Sequence, residues 1–342
     1  MLAANYPFAT IEPNTGIVPV PDERLHKLGR LYNCNKIVPA TVTFVDIAGL
    51  VAGASNGEGL GNQFLSHIRS CNAIVQVVRA FTDDNVIHVD YQTLNVKSPA
   101  KDIDVINTEL VLADLQSLTK RMQKFDKEAR ANPKLQPIAD TYRQAHTLLD
   151  AGTPLWTVAG KPESLNFEHL NDLQLITAKS IIYVFNVDEA GLSDAAHQDG
   201  LRQLIAPAEA LFVCAKLESE LKDLDSEDAH ELLESYGQHE SGLLQLIHAA
   251  YSTLGLQSYL TAGEKEVRAW TIRRGSTAPE AAGVIHGDFE RGFIAASIVD
   301  YDDLVVAGSE QAAKAAGKMR TEGKAYVMQP GDIVEFRFNV SK

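Results

Sequence analysis

Thr41-Val42-Thr43-Phe44-Val45-Asp46-Ile47-Ala48-Gly49, running on through Leu50 to Gly61, is the stretch that decides the fold. Its β-prone residues end abruptly at an Asp, and a Gly follows three positions later. A buried parallel strand presents a carboxylate in this way to the crevice at its carboxyl end. Such an Asp can hold a magnesium ion through water, and a Gly at the fourth position lets a backbone N–H approach a γ-phosphate. An Asp-initiated turn after a core strand writes the same letters, so the rest of the chain has to decide between the two.

Upstream, Asn5 to Gly16 carries two prolines and a closing glycine and reads as an ordered loop. Gly16 to Val20 reads as a short strand, and Asp22 caps a helix through Leu31. Downstream, Gly49 to Gly61 holds glycines at 49, 53, 57, 59 and 61, a composition suited to a segment with two conformations. Asn62 is placed to cap a helix with Phe64, Leu65 and Ile68 on its apolar face, and Ala73 to Val78 reads as another buried strand. Ser180 to Phe185 delivers Asn186-Val187-Asp188-Glu189 at its end, and Ala210 to Val213 delivers Cys214-Ala215-Lys216. Three strands thus present polar clusters at one end, where open α/β sheets bind nucleotides.

Between them the pattern changes. Ile103, Ile106 and Leu110 recur at helical spacing; after a one-residue shift, Val111, Leu115, Leu118, Met122 and Phe125 follow a coiled-coil-like seam. Asn132-Pro133 breaks it, and Ile138, Tyr142, Ala145 and Leu149 resume before Gly152. Two antiparallel helices projecting from the α/β domain are predicted, with core helices as the alternative.

Composition sets the bounds. The 342 residues suffice for two or three domains, and no apolar run reaches the roughly 18 residues of a membrane span. Cys34, Cys71 and Cys214 are isolated, which argues against a disulfide framework or zinc knuckle and fits a reducing cytoplasm. A net charge of −14 argues against general adhesion to nucleic acid. From Leu260 onward eleven Lys/Arg face twelve Asp/Glu, so the tail is nearly neutral and holds the cluster Lys314, Lys318, Arg320 and Lys324.

These motifs, together with Thr261-Ala262-Gly263, Glu266 to Thr271 and His286 to Ile294, resemble the YchF/Obg-like ATPases of the Obg-related translation-factor NTPases. The resemblance runs through the whole chain. It implies an α/β fold: a Ras-like P-loop NTPase domain (residues 1–102 and 174–256), a helical coiled-coil insertion (103–173) and a C-terminal β-grasp TGS domain (257–342). It also implies a cytoplasmic ATPase with Mg2+ as cofactor, a K+ ion admitted beside it, and the ribosome or its large subunit as partner, with neither membrane nor DNA. By the same resemblance Thr10 and Asp46 serve the metal and Gly49 meets the γ-phosphate. Asn186, Val187 and Glu189 form the base loop, Asn186 either bonding the base or tying the base-binding loops together.

Two departures carry mechanism. Guanine-specific relatives read Asn-Lys-x-Asp, whose Asp accepts both the N1–H and the N2 amino of guanine; here the loop is Asn186-Val187-Asp188-Glu189. ATP is therefore expected over GTP. Leu50 stands where Ras-like proteins carry the glutamine that orients the attacking water, so intrinsic turnover is expected to be slow. His67, His88 and His286 have no nucleophile to serve and are read as structural.

No Gly-x-x-x-x-Gly-Lys-Ser/Thr loop occurs in the sequence, and Met1 lies four residues before Asn5. An N-terminal truncation that leaves out the first strand and the phosphate loop is expected to strip the neighbouring strands of a ladder partner and to weaken ATP binding. Upstream, an in-frame strand and Gly-Lys-Ser/Thr loop are expected. The rival readings are a non-catalytic ribosome-binding scaffold and a redox adaptor using Cys34 or Cys71. Ribosome docking is expected on the exposed sheet face of the C-terminal module, aided by Lys314, Lys318, Arg320 and Lys324.

Overall fold

The computed structural model describes residues 14–47, 60–82, 98–161 and 165–339, and the chain divides into two compact units, 1–16 with 45–246 and 17–44 with 247–342. Thr10 and Gly49, with Leu50, the glycine-rich loop as far as Gly59 and His88, lie outside the described residues.

The chain opens with β1 (Asn14–Pro19), α1 (Glu23–Leu31), β2 (Ile37–Val38) and β3 (Thr41–Asp46), with β1 and β3 paired in a two-stranded sheet. Helix α2 (Leu60–Ser70) begins two residues before Asn62, which therefore lies within the helix rather than capping it. A three-stranded parallel sheet follows, ordered β4 (Ala73–Arg79), β5 (Ser180–Asn186), β6 (Glu209–Val213). Strand β5 is central and buried on both faces from Ile181 to Phe185, which is why its sequence is a continuous apolar run. Among the described residues β4 pairs with β5 alone and β3 with β1 alone. Val77 of β4 is 67% exposed, and among the described residues the buried Gln76 side-chain oxygen has no hydrogen-bond partner.

Helices α3 (Pro99–Ala131) and α4 (Gln136–Asp150) form the expected hairpin. The one-residue shift in the apolar pattern of α3 marks a change of partner. Ile103, Ile106 and Leu110 pack into the α/β core, whereas Val111, Leu118 and Phe125 pack with Tyr142, Ala145 and Leu149 of α4. Gly152 ends the second helix at φ +76°, its N–H bonded to Leu149 O. The first unit is completed by α5 (Ala195–Ile205), α6 (Ala215–Leu221) and α7 (Ser226–Ser235), and α8 (Gly242–Thr253) follows.

The second unit holds β7 (Leu256–Ala262), β8 (Val267–Arg273), α9 (Ala278–Ile285), α10 (Gly287–Arg291), β9 (Phe293–Asp300), α11 (Tyr301–Ala307), α12 (Glu310–Ala315), β10 (Arg320–Glu322) and β11 (Asp332–Phe338). Its sheet is ordered β10-β9-β11-β7-β8-β2, with β7 and β11 parallel at the centre and a hairpin of β7 and β8 beside them. The first five strands of that order make the β-grasp arrangement. One face, with Tyr259, Ile272, Ile298 and Val334, packs on α9 through Ala278, Ala281 and Ala282.

One expectation is corrected here and a second is narrowed. Residues 17–44 belong with the C-terminal unit rather than with the nucleotide domain, because β2 adds to β8 as a sixth, parallel strand and Val267 N–H donates to Lys36 O at 3.0 Å. The other sheet face is covered over β7 and β8, while Glu335 and Arg337 of β11 stay exposed. Helix α1 packs on β8 with Leu25 and Leu28 buried, and Tyr251 of α8 bonds Ser258 and Thr271 on the same face. Asp22 caps α1 as predicted, accepting from Arg24 N–H at 3.1 Å and pairing with its guanidinium. Asp22→Ala is expected to cost about 1 kcal/mol of the second unit's stability, read by chemical denaturation through Trp270; no measurable loss would deny the cap that role.

Candidate nucleotide site

The parallel register places Asn186 opposite Val213, so the loops leaving β5 and β6 start side by side. Val187 N–H donates to Val213 O at 2.9 Å, extending the ladder one residue past the strands. Asn186 Oδ1 accepts from Ala215 N–H at 3.1 Å and ties one loop to the other. Of the two roles expected for Asn186, the structure shows this tie; its side-chain NH2 is left for another acceptor.

Glu189 is 33% exposed and receives a 2.6 Å hydrogen bond from Lys216 Nζ across the same two loops. That bond holds the Glu189 carboxyl below the usual carboxylate range and pushes the Lys216 ammonium up. Asp188 is exposed and turns its carboxylate back on its own loop, accepting from Gly191 N–H at 2.9 Å. Val187 points the other way: it is 2% exposed, part of the apolar core, and so close to Gly191 that a Cβ there would meet the Val187 Cβ at 2.8 Å.

The expected base-loop residues are thus brought together by β5 and β6, with Val187 serving as an anchor beneath the loop. Lys216 was visible only as part of the polar cluster after β6. The signal that could have promoted it is the opposite charge on Glu189 in the neighbouring loop. Asp46 is exposed at the carboxyl end of β3. Among the described residues no group of three or more His, Cys, Asp or Glu forms a metal cluster. A single exposed carboxylate suits Mg2+, which takes one or two protein carboxylates and fills its remaining positions with water and nucleotide phosphates.

His67 is half-buried in the last turn of α2, and His286 caps α10 by accepting from Asp288 N–H at 3.1 Å. Cys34 is buried and Cys71 half-buried, and the Cys71 thiol is bonded to His67 O. No described helix is long and apolar enough to cross a membrane.

Polar loops at the carboxyl ends of a parallel α/β sheet, a helical hairpin inserted between β4 and β5, and a β-grasp sheet after them define a protein of the G-domain class with a C-terminal extension. A family model described as "50S ribosome-binding GTPase" matches residues 1–131, and the model of the YchF GTPase C-terminal domain, described as "Protein of unknown function (DUF933)", matches residues 256–339. The ribosome-binding ATPase YchF of Bacillus subtilis is 48% identical over 344 residues, covering 99% of this chain and 92% of that protein. The Pasteurella multocida protein of the same name is 46% identical with the same coverage. The structure of the Schizosaccharomyces pombe YchF GTPase superposes with a TM-score of 0.80 at 37% identity, covering 98% of this chain and 90% of that one. The chain belongs to the YchF family.

Proposed function

We propose that this chain is a ribosome-associated, ATP-hydrolysing regulatory NTPase that prefers ATP to GTP and turns over slowly on its own. The observation that carries the preference is the 2.6 Å bond between Lys216 and Glu189. Guanine recognition needs a carboxylate free to accept from N1–H and the N2 amino group. Here the carboxylate at that place in the loop is engaged by Lys216, and Val187 is buried rather than laid along the base. Adenine has no N2 amino group, and its N1 is an acceptor, so it loses nothing by the engagement. The Asn186 NH2 supplies a donor to the base while its oxygen holds the Ala215 loop.

Asp46 is proposed to hold Mg2+ through water, with Thr10 and Gly49 meeting the metal and the γ-phosphate. Slow turnover follows from Leu50 at the place of a water-orienting glutamine. Support for the ribosome as partner is the family itself, whose relatives carry the name ribosome-binding ATPase.

Competition against a fluorescent ATP analogue in Mg2+ tests the preference. ATP should displace the analogue at about tenfold lower concentration than GTP or better, a gap of about 1.4 kcal/mol. Lys216→Ala, which releases Glu189, should narrow that gap. Equal displacement by the two nucleotides, or a wider gap in the variant, would overturn the reading. Retained ribosome co-sedimentation with no nucleotide displacement would leave the scaffold alternative standing instead.

A further inference from the structure

A cavity opens where β4 and β5 begin, at the opposite end of their sheet from the loop that follows Asn186. Its volume is about 260 Å3, just below the usual range of small-molecule pockets. The end of α2, the helical turn Phe167–Leu173 and Lys179 line it. The lining is of two kinds. Phe167, Leu170 and Leu175 are apolar, and the two leucines are almost fully buried. Arg69 and Lys179 are cations, both half-buried.

The cations are held mainly by neutral partners. Lys179 donates to the carbonyls of Ile68, Arg69 and Cys71, and Arg69 donates to the carbonyls of Gln174 and Ala113 and to Ser117 Oγ. These bonds fix the two side chains without cancelling their charge. Among the described residues Asp114, 3.3 Å from Arg69, is the one carboxylate paired with either cation. The carboxyl end of α2 offers Lys179 about half a negative charge more. A positive excess is left, in a protein of net charge −14. Burial pushes the Lys179 ammonium down, and the like charge of Arg69 pushes the same way. Charge withdrawn from water is costly until something balances it. Gln174 on the rim holds the left-handed conformation at φ +47°, a strained choice for a residue other than glycine, while its carbonyl accepts from Arg69.

We propose that this cavity binds a small organic acid, its carboxylate balancing Arg69 and Lys179 and its apolar body resting on Phe167, Leu170 and Leu175. An inorganic anion would meet the cations and leave the apolar lining unused. A neutral apolar molecule would cover the lining and leave the excess charge in place. Six strand residues at about 3.3 Å apiece put roughly 20 Å between this site and Asn186, so the acid and a nucleotide base do not compete for one place.

Cys71 lines the cavity and is half-buried, whereas Cys34 and Cys214 are buried, so alkylation of the full chain reads the site directly. The probes are iodoacetate, an anion, and iodoacetamide, its neutral counterpart of nearly the same size. Their rates at Cys71 are followed by peptide mapping in the folded chain and in the chain unfolded in urea. Any change in the thiolate fraction cancels in the ratio of the two rates. That ratio should be about tenfold higher in the folded chain, the factor for about half a net charge several ångströms away at the dielectric of a half-buried site. Phenylacetate up to about 10 mM, a weak-binding range, should slow both reagents at Cys71 saturably. Inorganic phosphate at the same concentration should slow them less, and K179Q should bring the ratio down toward its unfolded value. A folded ratio no higher than the unfolded one, a Cys71 that neither reagent reaches, a folded K179Q with the parent's ratio, or phosphate protecting as well as phenylacetate would each overturn the proposal. Where K179Q fails to fold, the parent's ratio and its protection by phenylacetate decide alone.

Discussion

Asp114→Ala should destabilise the first unit by about 3–5 kcal/mol, one of the two largest single-residue effects expected in this protein. Asp114 sits in the middle of α3 and is fully buried. Its Oδ1 accepts from Ile176 N–H at 2.9 Å, and its Oδ2 accepts from Thr177 N–H at 2.7 Å and the Thr177 hydroxyl at 2.8 Å. Arg69 of α2 stands 3.3 Å away and also donates to Ala113 O and Ser117 Oγ. Lys179 closes the cluster by donating to the carbonyls of Ile68, Arg69 and Cys71 at the end of α2.

Burial pushes the Asp114 carboxyl up, against the pull of the Thr177 and Ile176 N–H groups and Arg69. Truncation to Ala would leave two buried N–H groups and a hydroxyl without their acceptor and the Arg69 guanidinium without its counter-charge. Asp114→Asn keeps one acceptor but turns an NH2 toward a donor, and about 1–3 kcal/mol is expected. Urea unfolding followed through Trp156, which lies in the same core as Ala113 and Ile176, measures both. A loss below about 1 kcal/mol for Asp114→Ala would refute this carboxylate as the clasp between α2, α3 and the segment leading to β5.

Val187→Lys restores the letter found in guanine-specific loops and should destabilise the same unit by about 3–5 kcal/mol without conferring GTP preference. Val187 is 2% exposed within the apolar core, so the ammonium would be buried with no partner. Burial disfavours the charged form, so the new lysine would have a folded-state pKa below its unfolded value near 10.4. The sign follows: the penalty is full at pH values below the depressed pKa, shrinks as pH rises through it, and vanishes above the unfolded value. Unfolding free energies from neutral pH to about pH 10 should therefore converge on those of the parent. A variant as stable as the parent at neutral pH that binds GTP better than ATP would show that Val187 occupies the base-reading place after all.

The two substitutions mark different kinds of legibility. Thr41 to Asp46, Ser180 to Phe185 and Ala210 to Val213 were readable as strands because local β propensity, apolar runs and the polar residues at their ends agree. The hairpin was readable from its seam, down to the shift between Leu110 and Val111 that marks where α3 changes partner. The start of α2 was misplaced at Asn62, since a capping residue and a residue inside the first turn look alike in a glycine-rich stretch.

What the sequence alone determined was each element with a strong local period, the position of the polar clusters at the strand ends, and the family that those clusters and their spacing define. Tertiary structure decided the rest. That residues 17–44 join the C-terminal unit depends on β2 pairing with β8 across more than two hundred residues, and strand pairing at that distance leaves no local signature. That Val187 faces the core while Glu189 meets Lys216 depends on how the loops after β5 and β6 leave the sheet. The acceptors around Asp114 come from residues 62 and 63 positions away, and only the folded chain brings them within hydrogen-bonding distance.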